Sequence, residues 1–194
     1  MIPPEFEHDQ FDISGHMGFL EKCASRAGTI LEIGVGHGNG STRAFARGLK
    51  RSEPIDGIKF HLGVDCDKDR PQCGGPDVMV YGRSESLETL SRVEDIWDKA
   101  AGGKINAFAD IIFIDTDHTF VQLSREIKVW TWFADPGTLW IFHDTWMNGE
   151  RNRMTDAILE WVEANPEWEF IDYSREWNGL GLMRWRGGTK WADL

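Results

Sequence analysis

Apolar residues recur along this chain in two alternating rhythms. Short unbroken or nearly unbroken runs, Thr29 to Ile33, Phe60 to Val64, Val78 to Tyr81, Asp110 to Ile114 and Thr138 to Phe142, have the length and the β-branched and aromatic content of buried strands. Between them the apolar positions step by three and four. Met17, Leu20, Ala24 and Ala27 predict a helix from Ser14 onward, Ser41 to Leu49 a second, and Leu87, Leu90, Val93, Trp97 and Ala100 a third. Phe120, Leu123, Ile127, Trp130 and Ala134 predict a fourth, stopped by Asp135, Pro136 and Gly137, and a last helix runs near Asn152 to Ala164, before Pro166. Glu167 to Tyr173 and Leu180 to Arg186, separated by the turn-like SREWNG, read as a hairpin, while KDRPQCGGPD reads as loop. Strand and helix in alternation demand a mostly parallel sheet covered on both faces, so the expected fold is α/β, Rossmann-like and doubly wound, with a C-terminal antiparallel hairpin at one edge.

The 194 residues suit a single domain over 1–194, of which 1–28 form an N-terminal extension and helix. A balance of 21 Lys and Arg against 32 Asp and Glu, net −11, disfavours nucleic acid as a partner. Cys23, Cys66 and Cys73 make no paired motif, which points to a reducing, cytoplasmic setting without disulfides or structural zinc. No apolar stretch exceeds strand length, so neither a signal peptide nor a membrane span is expected.

In such sheets ligands bind outside the carboxyl ends of the strands. Here those ends are chemically loaded. The first runs into ILEIGVGHGNGST, where Gly34, Gly36, Gly38 and Gly40 let a ligand approach backbone N–H groups and Ser41 and Thr42 can cap the following helix. Glu32 beside that loop would repel a pyrophosphate but accept hydrogen bonds from a cationic or hydroxyl-rich ligand. Asn39 and Ser41 break the dinucleotide spacing GxGxxG, and no GK[ST] follows the glycines, so NAD and nucleoside triphosphates lose their main support. Asp65, ending the second strand, is placed to accept ribose hydroxyls; Asp67 and Ser84 are weaker candidates, since polar residues fill loops for no special reason. Asp115, His143 and Asp144 end the fourth and fifth strands.

The glycine loop with Asp65 resembles the first two motifs of class I S-adenosylmethionine-dependent methyltransferases. FIDTDHTF at 113–120 and DPGTLWIFHDTW at 135–146 are similar to the group that includes macrocin-type sugar O-methyltransferases and cephalosporin-hydroxylase-like proteins. The resemblance implies a seven-stranded sheet, S-adenosylmethionine as methyl donor, and transfer to an oxygen of a small molecule or sugar. It sets Glu32 and the loop (Gly34, Gly36, Gly38, with His37 lining it) against the methionine part, Asp65 against the ribose, Gly82 to Ser84 on the adenine side, and Asp115 nearby. His118, three residues after Asp115, becomes the base that takes the acceptor's proton from a near-neutral pKa.

In metal-dependent members of that family the positions of Asp115, His143 and Asp144 bind a divalent ion. Magnesium prefers oxygen ligands, so the imidazole suits manganese or ferrous iron better, and a metal-free site is an alternative. Thr116 stands where many such relatives have glycine, narrowing the floor of the site. His8, His16 and His61 belong to no motif, and Trp146 and Trp177 can form an aromatic wall, although core packing or an oligomer contact is the commoner use of such residues. With no long insertion available as a lid, an open acceptor site or a homo-oligomer that closes it is expected. A different class of function, a cofactor-binding sensor or assembly subunit without methyl transfer, is the alternative; retained His118, Asp115 and Asp144 favour catalysis.

Overall fold

The computed structural model describes residues 11–54, 57–70, 75–100 and 108–194. Two short helices, α1 (Phe11–Ser14) and α2 (Met17–Ala24), lead into β1 (Thr29–Ile33), α3 (Ser41–Arg51), β2 (Phe60–Asp65), β3 (Val78–Tyr81) and α4 (Leu87–Ala100). Then follow β4 (Ile111–Ile114), α5 (Phe120–Trp130), β5 (Leu139–His143), a two-stranded ribbon of β6 (Trp146–Met147) and β7 (Glu150–Arg151), α6 (Met154–Ala164), β8 (Trp168–Ser174) and β9 (Leu180–Trp185). The expected α/β sheet is present. Seven strands lie in the order β3-β2-β1-β4-β5-β9-β8, parallel from β3 to β5 and antiparallel across β9 and β8.

Strand periodicity sorts the side chains onto two faces. Leu31, Ile33, Leu62, Val64, Ile112, Ile114, Trp140 and Phe142 pack against Val93, Trp97, Leu123, Ile127, Trp130 and Ile158 from α4, α5 and α6. Ile30, Ile111, Phe113, Leu139 and Ile141 pack on the other side against Leu20, Ala24, Ala44 and Phe45 from α2 and α3. Most of these side chains are fully buried, each contributing about 1.5–3 kcal/mol of apolar transfer. The strand order reverses between β1 and β4. Their carboxyl ends therefore diverge toward helices on opposite faces and open a crevice.

Several boundaries differ from expectation. The single N-terminal helix is two, broken at Gly15 and His16, where a Cβ on Gly15 would run into the indole of Trp177. The fourth helix ends at Trp130, and Thr131–Phe133 tighten into a 3₁₀ turn whose Thr131 hydroxyl donates to the Ile127 carbonyl. The β6–β7 ribbon was not anticipated. Its Asn148 and Gly149 have φ of 53° and 80°, the left-handed pair that a two-residue hairpin turn requires. His8, Cys73 and residues 71–74 of the anticipated loop lie outside the described residues.

Candidate active site

A cavity of about 790 Å³ lies along the carboxyl ends of β1, β2, β3, β4 and β5. Gly34 makes it possible: with φ of 85° it turns the chain sharply, and a Cβ there would run into the carbonyl oxygen of Asp115. Gly36 and Gly38 continue the left-handed path with φ of 58° and 68°. Gly34, Gly36 and His37 line the cavity, as do Asn39, Gly40 and Ser41, whereas Gly38 does not. Gly40, not a hydroxyl residue, is the N-cap of α3, and it makes no side-chain cap bond.

The Ser41 and Thr42 hydroxyls are spent elsewhere. Both donate to Glu32, at 2.5 Å from Ser41 and 2.9 Å from Thr42, and the His61 ring nitrogen lies 2.8 Å from the same carboxylate. Glu32, expected to face the cofactor, is fully buried and does not line the cavity. The reason is strand parity: two residues after Ile30, its side chain shares the α3 face rather than projecting from the strand end. It anchors the first turn of α3 beneath the loop.

Asp65 does line the cavity, but its carboxylate is already engaged. The Val35 and Gly36 amides donate to one oxygen at 3.1 and 2.9 Å, and the Asp67 amide to the other at 2.9 Å. Asp65 thus fixes the glycine loop from β2. Asp67 itself stays outside the cavity and faces Arg70 at 3.5 Å.

The β3 end contributes Gly82 and Ser84, both lining the cavity. Sequence reading missed what holds them. Glu126 of α5, fully buried, accepts from the Ser84 hydroxyl, from the Thr116 hydroxyl at 2.8 Å and from the Gln122 amide at 2.9 Å. Burial pushes its carboxyl above the usual range despite these three donors. The signal was present: Glu126 falls on the Leu123, Ile127, Trp130 stripe, an acid where the spacing asks for an apolar residue.

At the ends of β4 and β5 four titratable side chains converge. His118 Nε2 is 2.7 Å from Asp144 and 3.6 Å from Asp115; His143 Nδ1 is 3.0 Å from Asp144 and 3.4 Å from Asp115. Asp115, His118 and Asp144 line the cavity, while His143, 1% exposed, sits behind them. Burial alone would lower both imidazoles, but the carboxylates win and raise His118 to about 10 and His143 to about 11. The same charges hold Asp115 and Asp144 below the usual carboxylate range although burial opposes it. A near-neutral His118 is therefore not what the protein alone provides.

Distance does not mean satisfaction here. His118 Nε2, both ring nitrogens of His143 and Asp144 Oδ1 are buried and have no well-directed hydrogen bond. Orphaned polar atoms in ligand-competent clusters that share Asp144 fit a divalent cation. Two ligand-competent groups exist among the described residues, Asp115 with His118 and Asp144, and Asp12 with His143 and Asp144. Asp12, from α1, also lines the cavity and was not anticipated. His16, by contrast with its expected isolation, meets the His143 ring edge-on at 5.9 Å. Trp146 donates its indole N–H to Asp172 at 2.9 Å beneath the Arg175 guanidinium, and Trp177 remains half exposed, with φ of 52°.

Comparison with known proteins agrees with the fold. No curated protein matches the chain. Among solved structures, CalS11, a TDP-rhamnose 3′-O-methyltransferase of calicheamicin biosynthesis, superposes with a TM-score of 0.60 at 14% identity, over 95% of this chain and 87% of its own. MycE, a methyltransferase of the mycinamycin pathway in complex with Mg, SAH and mycinamycin VI, gives 0.53 at 14% identity over 93% of this chain; the match spans only 50% of MycE. The SAH-bound Podospora anserina methyltransferase PaMTH1 gives 0.53 at 13% identity, over 88% of this chain and 77% of its own. These likenesses establish the shared fold. A methyltransferase-domain family matches residues 31–145, from within β1 through the glycine loop to the residue after Asp144, and the chain belongs to that family.

Proposed function

We propose that the protein is an S-adenosylmethionine-dependent O-methyltransferase acting on a small-molecule or sugar hydroxyl. The observation that carries this reading is the convergence of Asp115, His118 and Asp144 on the same cavity that the glycine loop, Asp65 and Gly82 to Ser84 line. When bound, the cofactor supplies an electrophilic methyl group on a sulfonium. The glycine loop, fixed by Asp65, seats its methionine and ribose parts, Gly82 and Ser84 its adenine, and the acidic wall complements its positive charge. His118 accepts the proton of the acceptor hydroxyl.

For that role the imidazole must first be relieved of the two carboxylates that keep it charged. When bound, a divalent cation supplies positive charge that competes with the imidazolium for Asp115 and Asp144. Asp115, Asp144 and His143 are the residues that would hold it, and His118 is then left facing the cavity. The net charge of −11 fits a small acceptor rather than a nucleic acid. No helix among the described residues is long and apolar enough to cross a membrane.

Titration calorimetry with S-adenosylmethionine, S-adenosylhomocysteine and NAD tests the reading. Both sulfur ligands bind and NAD does not; the opposite pattern would refute it. His118→Ala leaves homocysteine-ligand affinity within about twofold and lowers the transfer rate by about 10²-fold or more, the usual weight of general base catalysis. Unchanged turnover would remove His118 from the mechanism.

A further inference from the structure

The donor set at the β5 end is not that of a magnesium site. Magnesium keeps to oxygen ligands, carboxylates and water, whereas imidazole nitrogen favours manganese, ferrous iron, cobalt or zinc. His143 is 1% exposed, its two ring nitrogens have no hydrogen-bond partner, and it lies at the bottom of a carboxylate cluster. Asp144, 2% exposed, likewise leaves Oδ1 without a partner. One donor atom each from Asp12, His143 and Asp144 lies within 4.8 Å of the others. Two of these come from the β5 end and the third from α1.

We propose that Asp12 joins Asp115, His143 and Asp144 in holding a first-row transition cation in preference to magnesium, and that Asp12 thereby ties the N-terminal helix to the wall of the cavity. The geometry supports a coupling of this kind, because α1 already abuts the glycine loop. Ile13 lies where a Cβ on Gly40 would collide, and Asp12 accepts the Ile13 amide at 2.8 Å, which holds its carboxylate close to α1's first turn. The shared ligand Asp144 also faces His118, so an ion in this position sits beside the residue assigned to the acceptor's proton. The inference deepens the reading above by naming the class of ion and one ligand, and it rests on that reading only for its consequence in catalysis.

The test uses the full chain stripped of metal by chelation, with manganese and magnesium chlorides as probes. Loss of the free Mn(II) electron-spin-resonance signal reports binding, and nitrogen modulation of the bound signal reports an imidazole ligand. Manganese binds at least about tenfold more tightly than magnesium, with nitrogen modulation, and Asp12→Asn weakens it by about tenfold or more. His143→Glu, which restores an all-oxygen set, removes the nitrogen modulation and narrows or reverses the preference. Equal affinities in the unaltered protein, modulation that survives in His143→Glu, or an unchanged affinity in Asp12→Asn would overturn the proposal. Circular dichroism of each variant establishes folding, and binding of S-adenosylhomocysteine, measured in parallel, separates failure here from failure of the methyltransferase reading.

Discussion

Glu32 and Glu126 are both acids buried among apolar side chains, one on a strand and one on a helix stripe, and they do different things. Glu32 was legible as unusual, since it interrupts TILEI, but its direction was not: parity along β1 sends it under α3, where Ser41, Thr42 and His61 absorb it. What the residue pattern conveys is that something polar is satisfied there; only the folded register shows by what. Glu126 instead knits the ends of β3 and β4 to α5 through Ser84, Thr116 and Gln122. Because burial raises its pKa, the folded state binds a proton that the unfolded chain has released. Stability from this group is present in full below the ordinary carboxylate pKa and is lost as pH rises through the raised value. Glu126→Gln, which keeps the shape and removes the titration, flattens that part of the curve. Denaturant midpoints measured from about pH 4 to 8 in both proteins check it: an identical slope would show that Glu126 titrates normally.

At the scale of elements, the strand ends rather than the strands carry the function. The register pairs Ile33 with Ile114 and Ile114 with Phe142, so the residues that follow, Gly34, Asp115 and His143, come out side by side. That these residues crowd one sheet edge was legible from the alternation, because strands of a parallel sheet present their carboxyl ends on the same side. The short ribbon of β6 and β7 was not anticipated, although its Asn-Gly turn is a hairpin signal, because two-residue strands leave no periodicity to detect. The split N-terminal helix escaped for another reason: Gly15 is selected by the distant Trp177, a contact with no local trace. Where β1 and β4 end, Gly34 stands against the Asp115 carbonyl. Gly34→Ala combines a left-handed φ of 85° with a collision against backbone, so neither rotamer change nor side-chain movement relieves it. Chemical denaturation should show a loss of at least about 2 kcal/mol, with cofactor affinity falling in whatever folded fraction remains. A variant as stable as the parent would mean that β1 and β4 part more easily than their pairing implies.

For the molecule as a whole, the question is how a chain of net charge −11 treats a charged cofactor. Asp12, Asp65, Glu85, Asp115, Asp117 and Asp144 all line the cavity, against Arg70, Arg83 and the charged His118, and Arg83 is paired with Glu85. Local and global charge therefore act in the same direction on a ligand entering the crevice. S-adenosylmethionine carries one more positive charge than S-adenosylhomocysteine while sharing every other recognition group, so their difference isolates the field at the sulfur. At low ionic strength the sulfonium is drawn in; as the screening length falls from about 14 Å at 0.05 M salt toward about 4 Å at 0.5 M, the part contributed by distant acids disappears. What survives is the contribution of groups near the sulfur, which solvent ions screen least, and there the charged His118 and His143 offset Asp115 and Asp144. Calorimetric titrations of both ligands across that salt range should show the methionine ligand weakening by several-fold more than the homocysteine ligand. Parallel salt dependences would place the acidic surface too far from the sulfonium to matter, and would leave the preference for the methyl donor to the loop backbone and Asp65.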